Sequence, residues 1–372
     1  MTIQLTDSDA AILAGDAGGG LALAMRVLLA VARSMGAERL LDISRAHIDG
    51  CLYQGPVGLD FVERLAAEGA QVQVPTTLNV GSLDLLHPDL YRGDPQAAVD
   101  SRRLMQAYED LGCRPTWTCA PYQLEVRPEF GEQVAWAESN AIVFANSVLG
   151  ARTHRYGDFL DVCAAVTGRA PAAGLHLQRN RRGEIVFDVS SLGDPLLASD
   201  ALFPTLGHLI GTETGKAIPV IVGLPAASED QLKALGAAAA AAGAVAMFHA
   251  VGITPEAPDL TTALHGEAPK ATMTVATEDV RRSRDELTTA AGGTISAVSL
   301  GTPHASLAEM TRVAELLAGR RIHDEIEAYI STGRDVAAAA EASGVAARLQ
   351  AGGFQIVTDT CTYITPILRS PG

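Results

Sequence analysis

Cysteine thiols are the side chains in this chain with the widest choice of chemistry. Five are present, Cys51, Cys113, Cys119, Cys163 and Cys361, and no two have CxxC spacing. A thiolate can ligate iron or act as a nucleophile, whereas a buried neutral thiol is a small apolar side chain. Cys119, in PTWTCAPY, lies in a segment that is not typical of helix, and Cys361 ends the apolar run FQIVTDTC. A ferredoxin-type electron carrier has no support, so a metal site would have to combine distant loops.

Polar side chains gather in short clusters beside probable strand ends. Loops that only connect elements do not need so many hydrogen-bonding groups, and burying one without a partner costs about 1 to 3 kcal/mol. The clusters are therefore expected to bind a polar ligand or to form an internal network of caps and turns. Their sequences are HIDGC, PTTLN, TWTCAPY, ESN, NSVLGARTHRYGD and TPHAS.

Arginine and histidine side chains stand out in three of these clusters. Arg152 and Arg155 are suited to bidentate capture of a carboxylate or phosphate, or they pair with acidic side chains of this chain. His47 and His304 could be metal ligands, general acids or hydrogen-bonded core side chains. The sequence has no G-x-S-x-G, P-loop or HExxH motif, and GDAGGG follows a helix start rather than a strand.

Alternating short strands, polar loops and helices must position these clusters. Thr6 and Asp9 predict a capped helix start, and Asp94 is placed to cap a helix from about 95 to 111 that ends at Gly112. The segments IPVIVGLP, SEDQLKALGAAAAAAG and AVAMFHAVG predict a βαβ unit with a right-handed crossover. This pattern indicates parallel α/β architecture, in which ligand sites collect at the carboxyl ends of the strands.

Three α/β regions are predicted, with approximate boundaries. Residues 1–190 carry most of the polar clusters, residues 191–290 contain the βαβ unit, and residues 291–372 form the last region. The Pro- and charge-rich segment EAPDLTTALHGEAPKA is predicted to be a linker or surface loop.

The composition bounds the classes of protein to consider. With 372 residues, 48% hydrophobic and 19% charged, the chain can bury a sizeable core. A formal net charge of -15 argues against a nucleic-acid binder, which needs dense Lys and Arg on its surface. The apolar runs fall short of the roughly 20 residues that span a bilayer, so no membrane contact is expected. Because MTIQLTDSDAAILAG is not typical of a signal or transit peptide, a cytoplasmic protein with reduced thiols is expected.

The clusters, taken together and in order, resemble the large subunit of the aconitase X family. The matching segments run over nearly the whole chain: HIDGCLYQG, VPTTLNVGSLD, GCRPTWTCAPYQ, AWAESNAIVFANSVLGARTHRYGDF, GLHL, GTPHASLAE and VTDTC. The resemblance implies an aconitase-like core of stacked αβα domains with mainly parallel sheets. It also implies a hydro-lyase that dehydrates a small hydroxy acid, with cis-3-hydroxy-L-proline, giving pyrroline-2-carboxylate, as the expected substrate. Mevalonate 5-phosphate is the alternative substrate.

The same resemblance implies a cofactor and a set of site residues. The cofactor would be an iron–sulfur cluster (2Fe–2S or 4Fe–4S) or a mononuclear iron that acts as a Lewis acid. Relatives often carry a cysteine where this chain has Thr302, so Cys51 is the expected third ligand beside Cys119 and Cys361. The expected acid–base residues are His47, Asp49, Glu138 and His304. The expected substrate-binding residues are Thr76, Thr77, Asn79, Tyr122, Ser139, Asn140, Asn146, Ser147, Arg152 and Arg155.

A partner is also implied by the family. It would be a small subunit, similar to the aconitase swivel domain, that closes the cleft and brings a catalytic serine. A further C-terminal segment beyond CTYITPILRSPG, with a loop containing glycine and tyrosine, is expected as well. Two other classes stay open: a non-catalytic subunit that binds a metal or small molecule and regulates a partner, and an enzyme with Cys119 as nucleophile. The last class predicts rapid alkylation and activity that does not depend on metal.

Overall fold

Helices and strands alternate along the chain in the computed structural model, which describes residues 3–369. The helices are α1 (Asp7–Ala14), α2 (Gly19–Ser34), α3 (Pro56–Ala67), α4 (Pro95–Asp110), α5 (Ser139–Phe144), α6 (Leu160–Thr167), α7 (Asp194–Leu197), α8 (Leu202–Thr214), α9 (Glu229–Ala242), α10 (Leu260–Ala263), α11 (Thr277–Glu286), α12 (Leu307–Leu317), α13 (Arg334–Ala342) and α14 (Val345–Ala351). The strands are β1 (Leu40–Asp42), β2 (Ala46–Ile48), β3 (Thr76–Leu78), β4 (Ala135–Trp136), β5 (Arg169–Pro171), β6 (Ile185–Asp188), β7 (Pro219–Val222), β8 (His249–Ala250), β9 (Ala271–Thr274), β10 (Ala297–Leu300), β11 (Glu327–Ser331) and β12 (Phe354–Val357).

The elements fall into two compact units. Unit 1 comprises the described residues up to Arg127, Tyr156–Pro171 and the described residues from Gly293 onward. Unit 2 comprises Pro128–Arg155 and Ala172–Gly292. The three regions predicted from the sequence stay a prediction.

Parallel strand pairs dominate unit 1. Strand β2 pairs in parallel with β3, and Thr77 of β3 forms a further parallel bridge with Arg114. A second parallel sheet has the order β10-β11-β12, whereas β1 and β5 form an antiparallel pair. Helices α12 and α14 cover the second sheet, with Met310, Ile330 and Leu349 in its core. The predicted α/β class with mainly parallel sheets is confirmed.

Unit 2 contains a four-stranded parallel sheet with the order β8-β7-β6-β9. Its core includes Phe187, Phe203, Ile221 and Phe248. Helices α8 and α9 belong to the same core and lie against each other over much of their length. Strand β7, helix α9 and strand β8 form the predicted βαβ unit.

The helix caps predicted from the sequence are present in the structure. Thr6 and Asp9 form a reciprocal capping box at the start of α1, and Asp94 accepts a hydrogen bond from the N–H of Gln96 to cap α4. The helix expected at 95–111 spans Pro95–Asp110, within the one or two residues by which helix ends vary.

Two local predictions hold only in part. The segment expected to be only a loop, EAPDLTTALHGEAPKA, contains α10 and leads into β9, because Asp259 caps α10 by accepting from the N–H of Thr262. The strand expected over AVAMFHAVG is reduced to the two residues of β8. Just before β8, the N–H of Phe248 donates to the hydroxyl of Ser147 instead of to a neighbouring strand.

No single helix among the described residues is long and apolar enough to cross a membrane. Helices α1 and α2 pass that test only as a pair, by length and composition, with a bend of 117° between them.

A close contact between α8 and α9 gives a stability prediction for unit 2. A Cβ atom added at Gly207 would lie 2.2 Å from the carbonyl oxygen of Leu235 and 2.9 Å from Ala238 Cβ. We expect Gly207→Ala to lower the free energy of unfolding by roughly 1 to 3 kcal/mol, because backbone must shift to admit the methyl group.

Gly58 in α3 is the matched control for this substitution, since an added Cβ there meets nothing within 4 Å. Gly58→Ala should raise the free energy of unfolding by about 0.4 to 1 kcal/mol. Urea unfolding of both variants measures the difference, and equal midpoints would contradict the close packing of α8 on α9.

Candidate active site

Loops that follow parallel strands bring polar side chains together in unit 1. Asp49 and Cys51 follow β2, and Asn79 follows β3. The N–H of Asn79 donates to the carbonyl oxygen of Ile48 at 2.9 Å, and the N–H of Thr118 donates to that of Leu78 at 3.1 Å. The loops that follow β2, β3 and the segment from Arg114 therefore lie together at the carboxyl ends of these parallel strands.

His304 connects the loops that carry Cys119 and Cys361. Its backbone N–H donates to Cys119 Sγ at 3.2 Å. Its Nε2 donates to the carbonyl oxygen of Thr360 at 3.1 Å, and its Nδ1 is 3.1 Å from the hydroxyl of Thr118. The ring is fully buried, with both nitrogens bonded to the protein. His304 therefore connects two loops. Because both of its ring nitrogens are hydrogen-bonded to the protein, neither is placed to exchange a proton with a ligand.

Unusual backbone geometry precedes both of these thiols by two residues. Trp117 has φ 43° and Asp359 has φ 61°, in the left-handed region that residues other than glycine seldom adopt. Such conformations cost about 1 to 3 kcal/mol and persist only where the surroundings enforce them, often at functional sites. The loops of Cys119 and Cys361 are thus held in defined, strained turns.

Cys51 lies in different surroundings. Its thiol is fully buried and contacts the carbonyl oxygen of Ile48 at 3.6 Å. Burial, together with the carboxyl of Asp161, the neighbouring Cys113 and the carboxyl of Asp49, raises the pKa of the Cys51 thiol, which disfavours the thiolate.

Hydrogen bonds nevertheless link the loop after Cys51 to the loop of Cys361. The N–H of Tyr53 donates to Ser82 Oγ at 2.9 Å, and the Ser82 carbonyl accepts from Thr365 Oγ1 at 3.1 Å. Thr365 Oγ1 in turn lies 2.5 Å from Thr360 Oγ1. The two loops are therefore near neighbours in unit 1.

The three thiols do not form a ready metal centre in this geometry. Among residues 3–369, no three His, Cys, Asp or Glu side chains are placed so that together they could hold a metal ion. His304 is bonded to Cys119 and to Thr360, the residue before Cys361, whereas Cys51 lies near the carboxyls of Asp161 and Asp49. The described residues thus do not fit a preformed three-thiolate site.

Asp49 is the acidic side chain best placed for proton transfer. It is half-buried, and its Oδ1 accepts from Asn79 Nδ2 at 2.5 Å. Burial first, and the nearby Asp158 second, raise the pKa of Asp49 to about 6, although the hydrogen bond from Asn79 opposes the rise. A carboxyl with a pKa near neutrality that solvent can reach is suited to general acid–base chemistry.

Asp161 holds the loop that carries Asp49 and was not singled out from the sequence. It is fully buried in the first turn of α6, and its Oδ2 accepts from the N–H of Asp49 at 2.7 Å and of Gly50 at 3.4 Å. Burial raises the pKa of Asp161 to about 7. The only signal in the sequence was an acidic residue in the first turn of the apolar helix LDVCAAVT.

The remaining predicted residues of unit 1 are bonded within the protein. His47 is fully buried, its Nδ1 lies 2.8 Å from the Thr77 hydroxyl, and burial lowers the pKa of His47 to about 3, so the ring is neutral. Thr76 donates to the carbonyl oxygen of Val74 at 2.8 Å. Tyr122 is buried in the turn Pro121–Gln123.

In unit 2, the predicted acidic residue caps a helix. Glu138 caps α5 by accepting from the N–H of Ala141 at 2.8 Å, from Ser139 Oγ at 3.2 Å and from Asn140 Nδ2. The side chains of Ser139 and Asn140 are therefore both bonded to Glu138, as in the internal network that was the alternative for this cluster.

A π-helical turn, Ala145–Leu149, carries two more of the predicted residues. Asn146 Oδ1 accepts from the N–H of Thr153 at 3.1 Å and from Arg181 Nη1 at 3.0 Å, and its Nδ2 donates to Ala246 O at 3.0 Å. Ser147 Oγ accepts from the N–H of Phe248. Single π turns recur at functional sites, and here the turn is held by the buried pair Arg181–Glu256, which the sequence analysis missed.

Arg152 and Arg155 follow this turn on the surface of unit 2. Arg152 Nη2 donates to Gln178 Oε1, and Arg155 Nη2 donates to Ala240 O at 3.4 Å. The predicted site residues thus lie in two groups. Unit 1 holds His47, Asp49, Cys51, Thr76, Thr77, Asn79, Cys119, Tyr122, His304 and Cys361, and unit 2 holds Glu138, Ser139, Asn140, Asn146, Ser147, Arg152 and Arg155.

Known proteins resemble this chain over nearly its whole length. Family models match residues 2–179 as the aconitase X first domain, 183–285 as its second domain and 295–371 as its third domain. A crystal structure of Thermococcus kodakaraensis aconitase X (holo-form) superposes with a TM-score of 0.88 at 33% identity, covering 98% of this chain and 90% of that one.

Similar sequences include two named activities. The chain is 48% identical to a cis-3-hydroxy-L-proline dehydratase of Pseudomonas aeruginosa over 96% of its own length and 62% of the relative's. It is 40% identical to an enzyme of the same name from Hypocrea jecorina, over 97% of its own length and 61% of that enzyme's length. The phosphomevalonate dehydratase large subunit of Methanothermobacter thermautotrophicus is 36% identical over 95% of this chain and 86% of its own length. The chain spans about three fifths of the two hydroxyproline dehydratases. It belongs to the aconitase X family.

Proposed function

We propose that this chain is the larger part of a hydro-lyase that dehydrates cis-3-hydroxy-L-proline to pyrroline-2-carboxylate. The observation that carries the proposal is the Asp49–Asn79 contact, which puts a half-buried carboxyl of raised pKa at the edge where the strand-end loops meet. The 48% identity to a cis-3-hydroxy-L-proline dehydratase supports this substrate over mevalonate 5-phosphate, whose named relative is 36% identical.

The reaction removes the C2 proton and the C3 hydroxyl of the substrate as water. A base takes the C2 proton, the electron pair forms the C2–C3 double bond, and the C3–O bond breaks as an acid protonates the leaving hydroxyl. The resulting enamine tautomerises to pyrroline-2-carboxylate. We assign the acid to Asp49, because a pKa of about 6 leaves part of this group protonated near neutral pH.

His47 and His304 have supporting roles in this proposal. Both rings are buried, and both ring nitrogens of His304 are hydrogen-bonded, one to Thr118 and the other to Thr360. They orient the loops around Asp49 and Cys119. Proton transfer to and from the substrate is assigned to other groups.

Binding of a carboxylate by Arg152 and Arg155, on the surface of unit 2, stays a prediction. A guanidinium has five N–H donors, so the single bonds to Gln178 and Ala240 leave donors for a carboxylate. Bidentate contact with a planar carboxylate is the geometry that favours arginine at such a position.

The base is assigned to a serine of a separate small subunit or segment, similar to the aconitase swivel domain. The chain spans 62% of one hydroxyproline dehydratase, and another relative carries the name large subunit. We call the chain together with this complementing part the complete enzyme. The cytoplasmic location expected from the sequence stays a prediction.

Iron on Cys51, Cys119 and Cys361 stays a prediction that metal analysis can test. The complete enzyme purified without oxygen should contain iron, with sulfide if the centre is a cluster, and Ser variants of the three cysteines should each lose most of it. Cys163→Ala is the matched control, since Cys163 is an equally buried thiol in the core of α6. Full retention of iron by Cys51→Ser would remove Cys51 from the ligand set.

Substrate choice is tested by comparing kcat/KM for cis-3-hydroxy-L-proline and mevalonate 5-phosphate with the complete enzyme. We expect a ratio above a hundredfold in favour of hydroxyproline, since binding sites built for different polar groups discriminate by about this factor or more. A ratio reversed in favour of the phosphate would assign the chain to the other activity. Turnover of neither compound by an enzyme that holds its iron would favour a regulatory, non-catalytic subunit.

A further inference from the structure

Asp359 occupies a demanding position two residues before Cys361. It is fully buried and has φ 61°, a conformation that aspartate tolerates better than most residues. Its carbonyl oxygen accepts from the N–H of Gly81 at 2.8 Å, and its Oδ2 accepts from the N–H of Leu85 at 3.1 Å. Its backbone and side chain are therefore both tied to the loop that follows β3.

Arg334, the first residue of α13, binds the same carboxylate through two nitrogens. Its Nε lies 2.6 Å from Asp359 Oδ1 and its Nη2 lies 2.7 Å from Oδ2. The Arg334 side chain is 32% exposed and borders a small pocket that Arg114, Thr118 and Gln123 also line. Only a planar guanidinium makes this two-point contact, and a lysine ammonium cannot reproduce it.

A second carboxylate fixes the residue before Asp359. Asp84 accepts from the N–H of Thr358 at 2.9 Å and from its hydroxyl at 3.0 Å, while its own loop is turned by bonds from the N–H groups of Leu86 and His87. Residues 358 and 359 are thus clamped on two sides. The next residue, Thr360, offers its carbonyl oxygen to His304 Nε2, and Cys361 follows.

We propose that Arg334 and Asp359 are positioning residues for the dehydration. Their two-point pairing holds the turn 358–361, whose Thr360 binds His304. It also fixes Asp359 against Gly81 and Leu85. Those two residues belong to the loop that begins with Asn79, the partner of the proposed acid Asp49. The inference rests on the proposed function and adds two residues that touch neither substrate nor reacting atoms.

Two conservative variants of the complete enzyme test the proposal by steady-state kinetics. Arg334→Lys keeps the positive charge but loses the planar guanidinium that makes the two-point contact. Asp359→Asn keeps the tolerance for positive φ but loses the negative charge. Each should lower kcat on cis-3-hydroxy-L-proline at least tenfold and change KM less than threefold, at a temperature where the variant is fully folded. The double variant should be no slower than the slower single variant, because both substitutions break one pairing.

Arg103→Lys is the matched control. Arg103 also binds a carboxylate through two contacts, Nη2 to both oxygens of Glu63 at 2.8 and 3.0 Å, but on the surface. Its kcat should equal that of the parent enzyme. Unchanged kcat in Arg334→Lys and Asp359→Asn, or a loss that tracks only the folded fraction, would overturn the proposal.

A second measurement separates this proposal from the proposed function, because it needs no turnover. Cys361 is buried, so its alkylation by iodoacetamide in the parent chain should be slow. Peptide mass spectrometry should show alkylation of Cys361 at least tenfold faster in Arg334→Lys and unchanged in Arg103→Lys. Equal rates of Cys361 alkylation in all three proteins would refute the proposed role of the Arg334–Asp359 pair, even if the parent enzyme proved inactive on hydroxyproline. A faster rate in Arg334→Lys beside an inactive parent would refute only the proposed function.

Discussion

Asp49→Asn in the complete enzyme is expected to lower kcat for cis-3-hydroxy-L-proline by a factor of about 100 to 10,000, the usual contribution of a general acid. Asparagine has the same shape and can still accept the bond from Asn79 Nδ2, so the loop should keep its conformation. What the variant loses is the proton that the leaving hydroxyl takes. KM should change little, because Asp49 is assigned to the transition state rather than to substrate binding.

Asp158→Asn is the matched control for this variant. Asp158 is exposed, is one of the charges that raise the pKa of Asp49, and has no assigned role in the reaction. Its kcat should stay within about threefold of the parent, as expected for a surface substitution. Steady-state kinetics on both variants at pH 7 makes the comparison. A kcat for Asp49→Asn equal to that of Asp158→Asn would remove Asp49 from the mechanism.

The chain alone is expected to turn over hydroxyproline at least about a thousandfold more slowly than the complete enzyme. The proposed function attributes two contributions to the complementing part, a serine base and closure of the site against water, and the chain alone would lack both. A general base alone typically contributes a factor of about 100 to 10,000. Activity assayed with and without the purified complementing part, at equal chain concentration, measures the ratio.

Replacing the serine of the complementing part by alanine controls for a purely structural effect of adding it. This variant should bind the chain yet leave its turnover near that of the chain alone. Substantial turnover by the chain without its complement would contradict the proposed division of the catalytic groups.

Much of the fold follows from local signals in the sequence. Asp94, Thr6 and Asp9 start helices through bonds to N–H groups two or three residues away, which spacing alone predicts. Asp259 gives the same signal for α10, but it lies in a segment whose prolines and charges predict a linker or surface loop. Strand β8 could not be bounded from the sequence, because the residue that interrupts it, Ser147, lies 101 positions away.

The site was predictable in part. The polar clusters do follow strands, because the carboxyl ends of parallel strands share an edge. What the sequence could not supply were the residues that hold these clusters from a distance. Asp161 lies 112 positions from the N–H of Asp49 that it binds, and Arg181 lies 75 positions from Glu256. Neither pair has a periodicity or motif, so only the folded chain brings the partners together.

We propose that this chain takes part in loss of water from a small hydroxy acid. The most direct measurement follows cis-3-hydroxy-L-proline by NMR in the presence of the complete enzyme, with no electron donor or acceptor added. We expect the substrate to disappear and pyrroline-2-carboxylate to appear in equal amount, and the reaction to be at least about 100-fold slower with Asp49→Asn. Unchanged hydroxyproline in the presence of folded, iron-containing complete enzyme would contradict it.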